Sequence, residues 1–225
     1  MAKRRRALRQ RRPRRFSPRI IIVGEGIKTE YNYFATLGPK YKRSGGPALM
    51  PHIPSRTGSA IAIVQSARRI VDNDQDFDRR RGDRCYCILD VEPHDDAKQA
   101  NLREAISLAN NNDIHILLSN PCFEVWLLSH VAKSGKMMRQ FNDPTAVDIM
   151  LQQLTRKGKA EFNSDSRLFG NLLIPHVTQA VHVAKEVHTQ LLRQQNDANS
   201  WVPPNASTDV YKLVAYVIGE TDTPP

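Results

Sequence analysis

Four acidic residues follow apolar runs in this sequence. Glu25 comes after Ile20-Ile21-Ile22-Val23-Gly24, and Asp90 and Glu92 come after Cys85-Tyr86-Cys87-Ile88-Leu89. Glu124 follows Ile114–Leu118 and a short polar turn. Carboxylates are hard oxygen ligands suited to Mg2+ or Mn2+, and they also move protons. Asp90 and Glu92 stand two apart, so extended backbone points both to one side and lets them share a divalent ion. Glu124 opens an apolar helix, where an acid also complements the positive end of the dipole. Its place after a third strand keeps a ligand role open beside that plainer one.

The elements that must position these acids can be read from the apolar pattern. Ile20–Val23 is continuous rather than alternating, as in a central strand covered on both faces. Gly24 and Gly26 permit a tight turn, and Thr29-Glu30 leads into a helix that should end at Gly38-Pro39. Gly24-x-Gly26-x-x-Glu30 has glycine spacing like that of a dinucleotide fingerprint. Its third position, however, is a large acid where close helix packing wants Gly or Ala. Two acids there repel a bare phosphate and favour chemistry mediated by a cation.

Ala48–Pro54 is a strand candidate at or near an edge, because Pro47, Pro51 and Pro54 interrupt it. Ser59 can cap a helix with Ile61, Ile63, Val64, Ala67, Ile70 and Val71 on a broad apolar face. Residues 72–84 form a polar connection, Asp96–Asn110 a helix, and Ile114–Leu118 a third strand. Beyond residue 130 the pattern gives helices at Val147–Leu154, Ala180–Leu192 and Asp209–Ile218, the last capped by Ser207 or Thr208. Lys157-Gly158-Lys159 is expected to be a basic turn. His182 and His188 lack metal-site spacing.

The fold class is therefore α/β, a mostly parallel sheet flanked by helices with a helical C-terminal extension. The division expected is a disordered basic arm at 1–19, an α/β core at 20–130, and an extension packed on the core at 131–225. Of 33 basic residues in the 225, ten lie in residues 1–19, which hold no acid; the remaining 23 balance 23 acids. The excess charge of +10 thus belongs to the arm. Arg4, Arg5, Arg6, Arg9, Arg11, Arg12, Arg14 and Arg15 are candidates for sequence-independent phosphate binding, the alternative being a solubilising tail. The three cysteines fit neither a zinc site nor a disulfide framework, which suggests a reduced, cytoplasmic protein. No apolar stretch approaches the roughly 20 residues needed to span a bilayer.

Three motifs in order, Gly24-Glu25-Gly26-x-Lys28-Thr29-Glu30-x-Asn32-Tyr33-Phe34, Leu89-Asp90-Val91-Glu92-x-His94 and Asn120-Pro121-Cys122-Phe123-Glu124-Val125-Trp126-Leu127-Leu128, resemble the RloB-like family. Ser207-Thr208-x-Val210-Tyr211-Lys212-Leu213-Val214 looks like that family's closing helix. The resemblance implies a Toprim-type fold and a nuclease of bacterial phage defence, often encoded beside an ABC- or AAA-type ATPase. Its first acid falls on Glu25 and its acid pair on Asp90 and Glu92. Glu92 departs from the usual Asp, and the extra methylene moves its oxygens outward.

On that reading Asp90 and Glu92 hold Mg2+ or Mn2+. Glu25 joins a second ion or serves as general base, and the reaction is phosphodiester hydrolysis. His94 either shuttles a proton and contacts phosphate or is a surface histidine. Lys28 either neutralises transition-state charge or is a solvated first-turn lysine, and Glu30 either supports the site or is a helix-start acid. The competing function is a non-catalytic nucleic-acid-binding or regulatory subunit of an ATPase-containing defence complex. Nucleotidyl transfer or strand cleavage through a tyrosine is a third reading, but no tyrosine here is marked as a nucleophile. DNA and RNA, transfer RNA among them, both fit the arginine arm and a carboxylate-bound metal, and a homo-oligomer is compatible with the sequence.

Overall fold

The computed structural model describes residues 17–225 apart from 43–45, 57, 92–95, 136, 137, 139, 140, 142, 143 and 195–202. The eight basic-arm arginines, Glu92 and His94 lie outside the described residues. Five strands form one sheet: β1 (Arg19–Gly24), β2 (Ala48–His52), β3 (Arg84–Asp90), β4 (His115–Asn120) and β5 (Ser207–Thr208), in the order β2-β1-β3-β4-β5. β1 to β4 are mutually parallel, and β5 is antiparallel to β4.

Eight α-helices accompany the sheet among the described residues: α1 (Thr29–Lys40), α2 (Ala60–Asn73), α3 (Asp96–Asn110), α4 (Glu124–Ser129), α5 (Pro144–Thr155), α6 (Lys159–Ser164), α7 (Val177–Gln194) and α8 (Val210–Ile218). The expected α/β class with a mostly parallel sheet is what the chain adopts.

The central strands are apolar at every position because both faces are covered. Even positions of β1 and β3 (Ile20, Ile22, Tyr86, Ile88) pack with residues of α1, α4, α7 and α8. Odd positions (Ile21, Val23, Cys85, Cys87, Leu89) pack with α2 and α3. The period-2 geometry of a strand thus sorts one run into two cores. Cys85 and Cys87 share a face as expected, and all three cysteines are buried free thiols. Ser59 caps α2, its hydroxyl accepting from Ala62 N at 3.2 Å. Among the described residues no helix is long and apolar enough to cross a membrane.

Several local expectations need correction. Arg19, counted with the arm for its charge, opens β1, and its guanidinium pairs with Asp83 (3.2 Å) and Asp74 (3.0 Å). α1 continues through Gly38 and Pro39 to Lys40. A proline in the last turn forfeits one backbone bond, and Gly38 lets Leu49 approach, so packing on β2 carries the helix further. Lys159 is the first residue of α6 rather than the end of a turn. Ser207 and Thr208 form a fifth strand on β4, and α8 begins after them. Thr208 Oγ1 still accepts from Val210 N (3.2 Å), so one residue serves both the sheet and the helix start. The region beyond 130 therefore supplies a strand as well as helices, and its Leu151, Phe162, Val177 and Leu213 join the same core as Ile20 and Ile88.

Candidate active site

Because β1, β3 and β4 run in parallel, their last residues meet at one end of the sheet. From β1 the chain moves outward to β2 by way of α1, and from β3 it moves the other way through α3 to β4. A crevice forms where such connections diverge, and in open α/β sheets ligands are held there. Glu25 and Asp90 stand on either side of this divide.

Backbone hydrogen bonds lock the acids in place. Glu25 N donates to Ile88 O (3.1 Å), which continues the β1–β3 ladder one residue past the strand. Glu25 Oε2 accepts from Asp90 N at 3.1 Å, and Asp90 Oδ1 accepts from Phe123 N at 2.8 Å. Each acid thus fastens the next strand end: Glu25 holds β3, and Asp90 holds the turn from β4 into α4. Glu25 and Asp90 line a cleft of about 390 Å3 whose other walls are Ser59 and Ala60 at the start of α2 and Lys98, Gln99 and Asn101 of α3. A larger cleft of about 610 Å3 lies along β4, lined by Tyr86, His115 and Lys212, away from this acid cluster.

Glu30 lies in the first turn of α1. It is 3% exposed and folds back beneath the β1–α1 turn, where its Oε1 accepts from Gly26 N at 3.0 Å. A Cβ on Gly24 would lie 2.6 Å from Glu30 Cβ, and one on Gly26 would collide with Glu30 Oε2. The two glycines, which by spacing alone suggested a phosphate loop, make room for a buried carboxyl. Burial pushes that carboxyl up to about 7; the neighbouring Glu124 adds to the rise, while the Gly26 N–H and Lys159 oppose it. Glu30 Oε2 is buried and has no hydrogen-bond partner among the described residues.

Glu124, the first residue of α4, is 2% exposed and pairs through Oε1 with Lys159 Nζ at 2.8 Å. Burial alone would lower the lysine's pKa, but Glu124 outweighs it, with Asp90 and Glu30 adding, and the ammonium is held above its ordinary value. Asp90 is pushed well above the usual carboxylate range, chiefly by loss of water around it, then by the charges of Glu124, Glu30 and Glu25; Lys159 acts the other way. Lys159 therefore acts on three carboxyl groups, one from each of three strand–helix junctions.

The structure brings Glu25, Asp90 and Glu124 to one end of the sheet, where the charges of Glu25 and Glu124 both act on Asp90. Lys28 stands exposed just before α1. Lys159 was not anticipated, since nothing in the local sequence links a lysine in a short helix to an acid 35 positions earlier. Glu30 did carry a signal: an acid one helical step beyond two glycines, at the position where a phosphate loop wants none.

A hard divalent cation suits this donor set, which is all oxygen and carries more negative charge than Lys159 balances. Among the described residues, no three His, Cys, Asp or Glu side chains stand at ligating distance from a common point. One oxygen of Glu25 and one of Asp90 are already engaged by backbone N–H groups. The fit is thus one of donor chemistry and charge, with Glu25 and Asp90 as the cleft-facing pair.

Comparison with known proteins adds the family. A search of curated proteins and a search of solved structures returned no significant match. A family model described as RloB-like protein matches residues 20–217, from β1 into α8, a span that takes in every acid described above and Lys159. With that match over most of its length, the chain belongs to the RloB-like family.

Proposed function

We propose that this protein is a Mg2+- or Mn2+-dependent nuclease of the Toprim type that hydrolyses phosphodiester bonds in bacterial anti-phage defence. The observation that carries the reading is the convergence of Glu25 and Asp90, from adjacent parallel strands, on one cleft at the divide of the sheet. Asp90, together with Glu92, would hold the metal, which when bound neutralises phosphate oxygens and acidifies a water.

The remaining work falls to the chain. Phe123 N fixes Asp90 Oδ1 and so sets the plane of that carboxyl. Asp90 N does the same for Glu25 through Oε2, which leaves the Glu25 carboxyl oriented to accept a proton from an attacking water at the cleft wall. The starts of α2 and α3 close the other side, and Lys98 is among the residues that line it. Lys28 is exposed just before α1, and the arginines of the N-terminal sequence would add charge for a polyanion. The defence setting and an ABC- or AAA-type ATPase partner rest on family resemblance.

Purified protein incubated with Mn2+ and plasmid, single-stranded DNA or transfer RNA should cut at least one of them. Glu25→Gln and Asp90→Asn should each lower the rate by about 1,000-fold, a barrier change of about 4 kcal/mol, while circular dichroism stays native. Undiminished cutting by both variants would refute the assignment. Nucleic-acid binding without cutting, together with no Mn2+ heat in calorimetry, would favour the regulatory subunit instead.

A further inference from the structure

Lys159 belongs to the C-terminal region, and four separate contacts place it against the acids of the sheet end. Its backbone N donates to Asp148 Oδ1 of α5 at 2.6 Å. The preceding Gly158 N donates to Glu161 Oε2 at 2.9 Å, which closes the first turn of α6. Thr29 Oγ1, one residue before Glu30, donates to Asn163 Oδ1 at 2.7 Å and ties the far end of α6 to the start of α1. The fourth contact is the ion pair with Glu124 itself. A six-residue helix is thereby fixed to α1, α4 and α5, and the residue so placed is a cation that acts on Glu124, Asp90 and Glu30 together.

Two features separate Lys159 from an ordinary buried counter-ion. Its side chain remains 47% exposed while that of Glu124 is 2% exposed, so the pair is sealed on the acid's side and open on the lysine's. An ammonium has three donors. The ammonium pairs with Glu124 on its buried side, and an open lysine has donors to offer to an anion arriving from solvent. A cation already anchored by a carboxylate needs no reorganisation when negative charge arrives, which is the condition under which such a donor contributes most.

We propose that Lys159 is a phosphate-contacting residue of this site, delivered to the carboxylates by α6, whose attachments to α1, α4 and α5 serve that placement. The inference rests on the nucleic-acid reading of the site and adds a residue outside the acid motifs. Glu124 is then the lysine's anchor rather than a metal ligand.

The test separates phosphate contact from scaffolding. Binding of a labelled single-stranded oligodeoxynucleotide, a DNA duplex and a transfer RNA is measured in Ca2+ across a series of salt concentrations. The proteins compared are the wild type, Lys159→Met, Lys159→Arg and the double variant Lys159→Met/Glu124→Gln, which removes the charge on Glu124 together with that of its partner. Loss of one phosphate contact should make the slope of log affinity against log salt shallower by about 0.7 for single strands and about 0.9 for duplex. That change should appear in both methionine variants and be absent from Lys159→Arg.

Where wild type cuts in Mn2+, the same methionine variants should lose about 100-fold in kcat. An unchanged salt slope and kcat in the folded double variant overturns the inference and leaves the nuclease reading standing. A shallower slope in a protein that cuts nothing upholds Lys159 and overturns the nuclease. Absence of nucleic-acid binding by the wild type overturns both.

Discussion

Strand β3 is bracketed by two acids that live in opposite electrostatic settings. Asp83, just before its first residue, is completely buried and fully served: its Oδ1 accepts from Arg19 N at 2.7 Å, and its Oδ2 accepts from Arg19 Nε (3.2 Å) and Asp78 N (3.0 Å). Asp90, at the other end, accepts Phe123 N and is raised by loss of water around it and by the charges of Glu124, Glu30 and Glu25, with Lys159 acting the other way. Asp83 meets a cation and three N–H donors, whereas the neighbours that act on Asp90 are mainly other carboxyl groups, at the edge where parallel α/β sheets hold ligands. Stability has been given up there, as is common where a site must bind something.

Neutralising the two acids should therefore move stability in opposite directions, and this is the largest effect expected. Asp83→Asn replaces an acceptor with a donor facing Arg19 and leaves that guanidinium short of charge, at a cost of about 3 to 5 kcal/mol. Asp90→Asn keeps an acceptor for Phe123 N and removes a repelled charge, so the metal-free protein should be no less stable and should melt higher at neutral pH. Urea unfolding of both variants without divalent ions measures the difference. A destabilised Asp90→Asn would mean that the cluster is compensated in some way not described above.

The contrast also shows where the sequence was informative. Both acids sit beside apolar runs, and the runs were legible because a strand covered on two faces must be apolar at every position, as Ile20–Val23 and Cys85–Leu89 are. The strand-end acids could be found for the same reason. Arg19 could not be separated from the arginines before it, because its role depends on Asp83 and Asp74, more than 50 residues away. Lys159 and β5 were hidden likewise: a lysine after a glycine and a two-residue strand gain their meaning only from partners on β4 and α4. Glu30 was visible as an oddity, and only its burial shows that Gly24 and Gly26 exist to receive it.

Glu30 gives the comparison a pH signature. With a folded value of about 7 against an ordinary 4.5, the native chain holds a proton that the unfolded chain has released throughout that interval. Stability contributed this way is complete below about pH 4.5 and declines as pH rises through about 7, by on the order of 3 kcal/mol. Asp90, raised in the same sense, steepens the decline. Unfolding measured from pH 4.5 to 7.5 should show it, Glu30→Gln should remove a large part, and saturating Mg2+ should oppose it. A flat profile in the wild type would mean that Glu30 is charged when folded.

The smallest effect dissects the turn that shelters Glu30. Gly24→Ala places a methyl 2.6 Å from Glu30 Cβ, an atom that cannot move without the backbone of α1, so it should cost about 2 kcal/mol. Gly26→Ala meets the carboxylate end of the same side chain instead, which can swing away, so its cost should be nearer about 1 kcal/mol. The two are distinguished by a second substitution. Glu30→Ala retains Cβ but removes the carboxylate, so it should relieve Gly26→Ala and leave Gly24→Ala as damaging as before. Double-mutant cycles read out by urea unfolding give both couplings. Equal relief of both would place the crowding on the carboxylate alone, whereas relief of neither would put it in the backbone of the turn, with the glycines shaped for the chain's path and not for the acid beneath it.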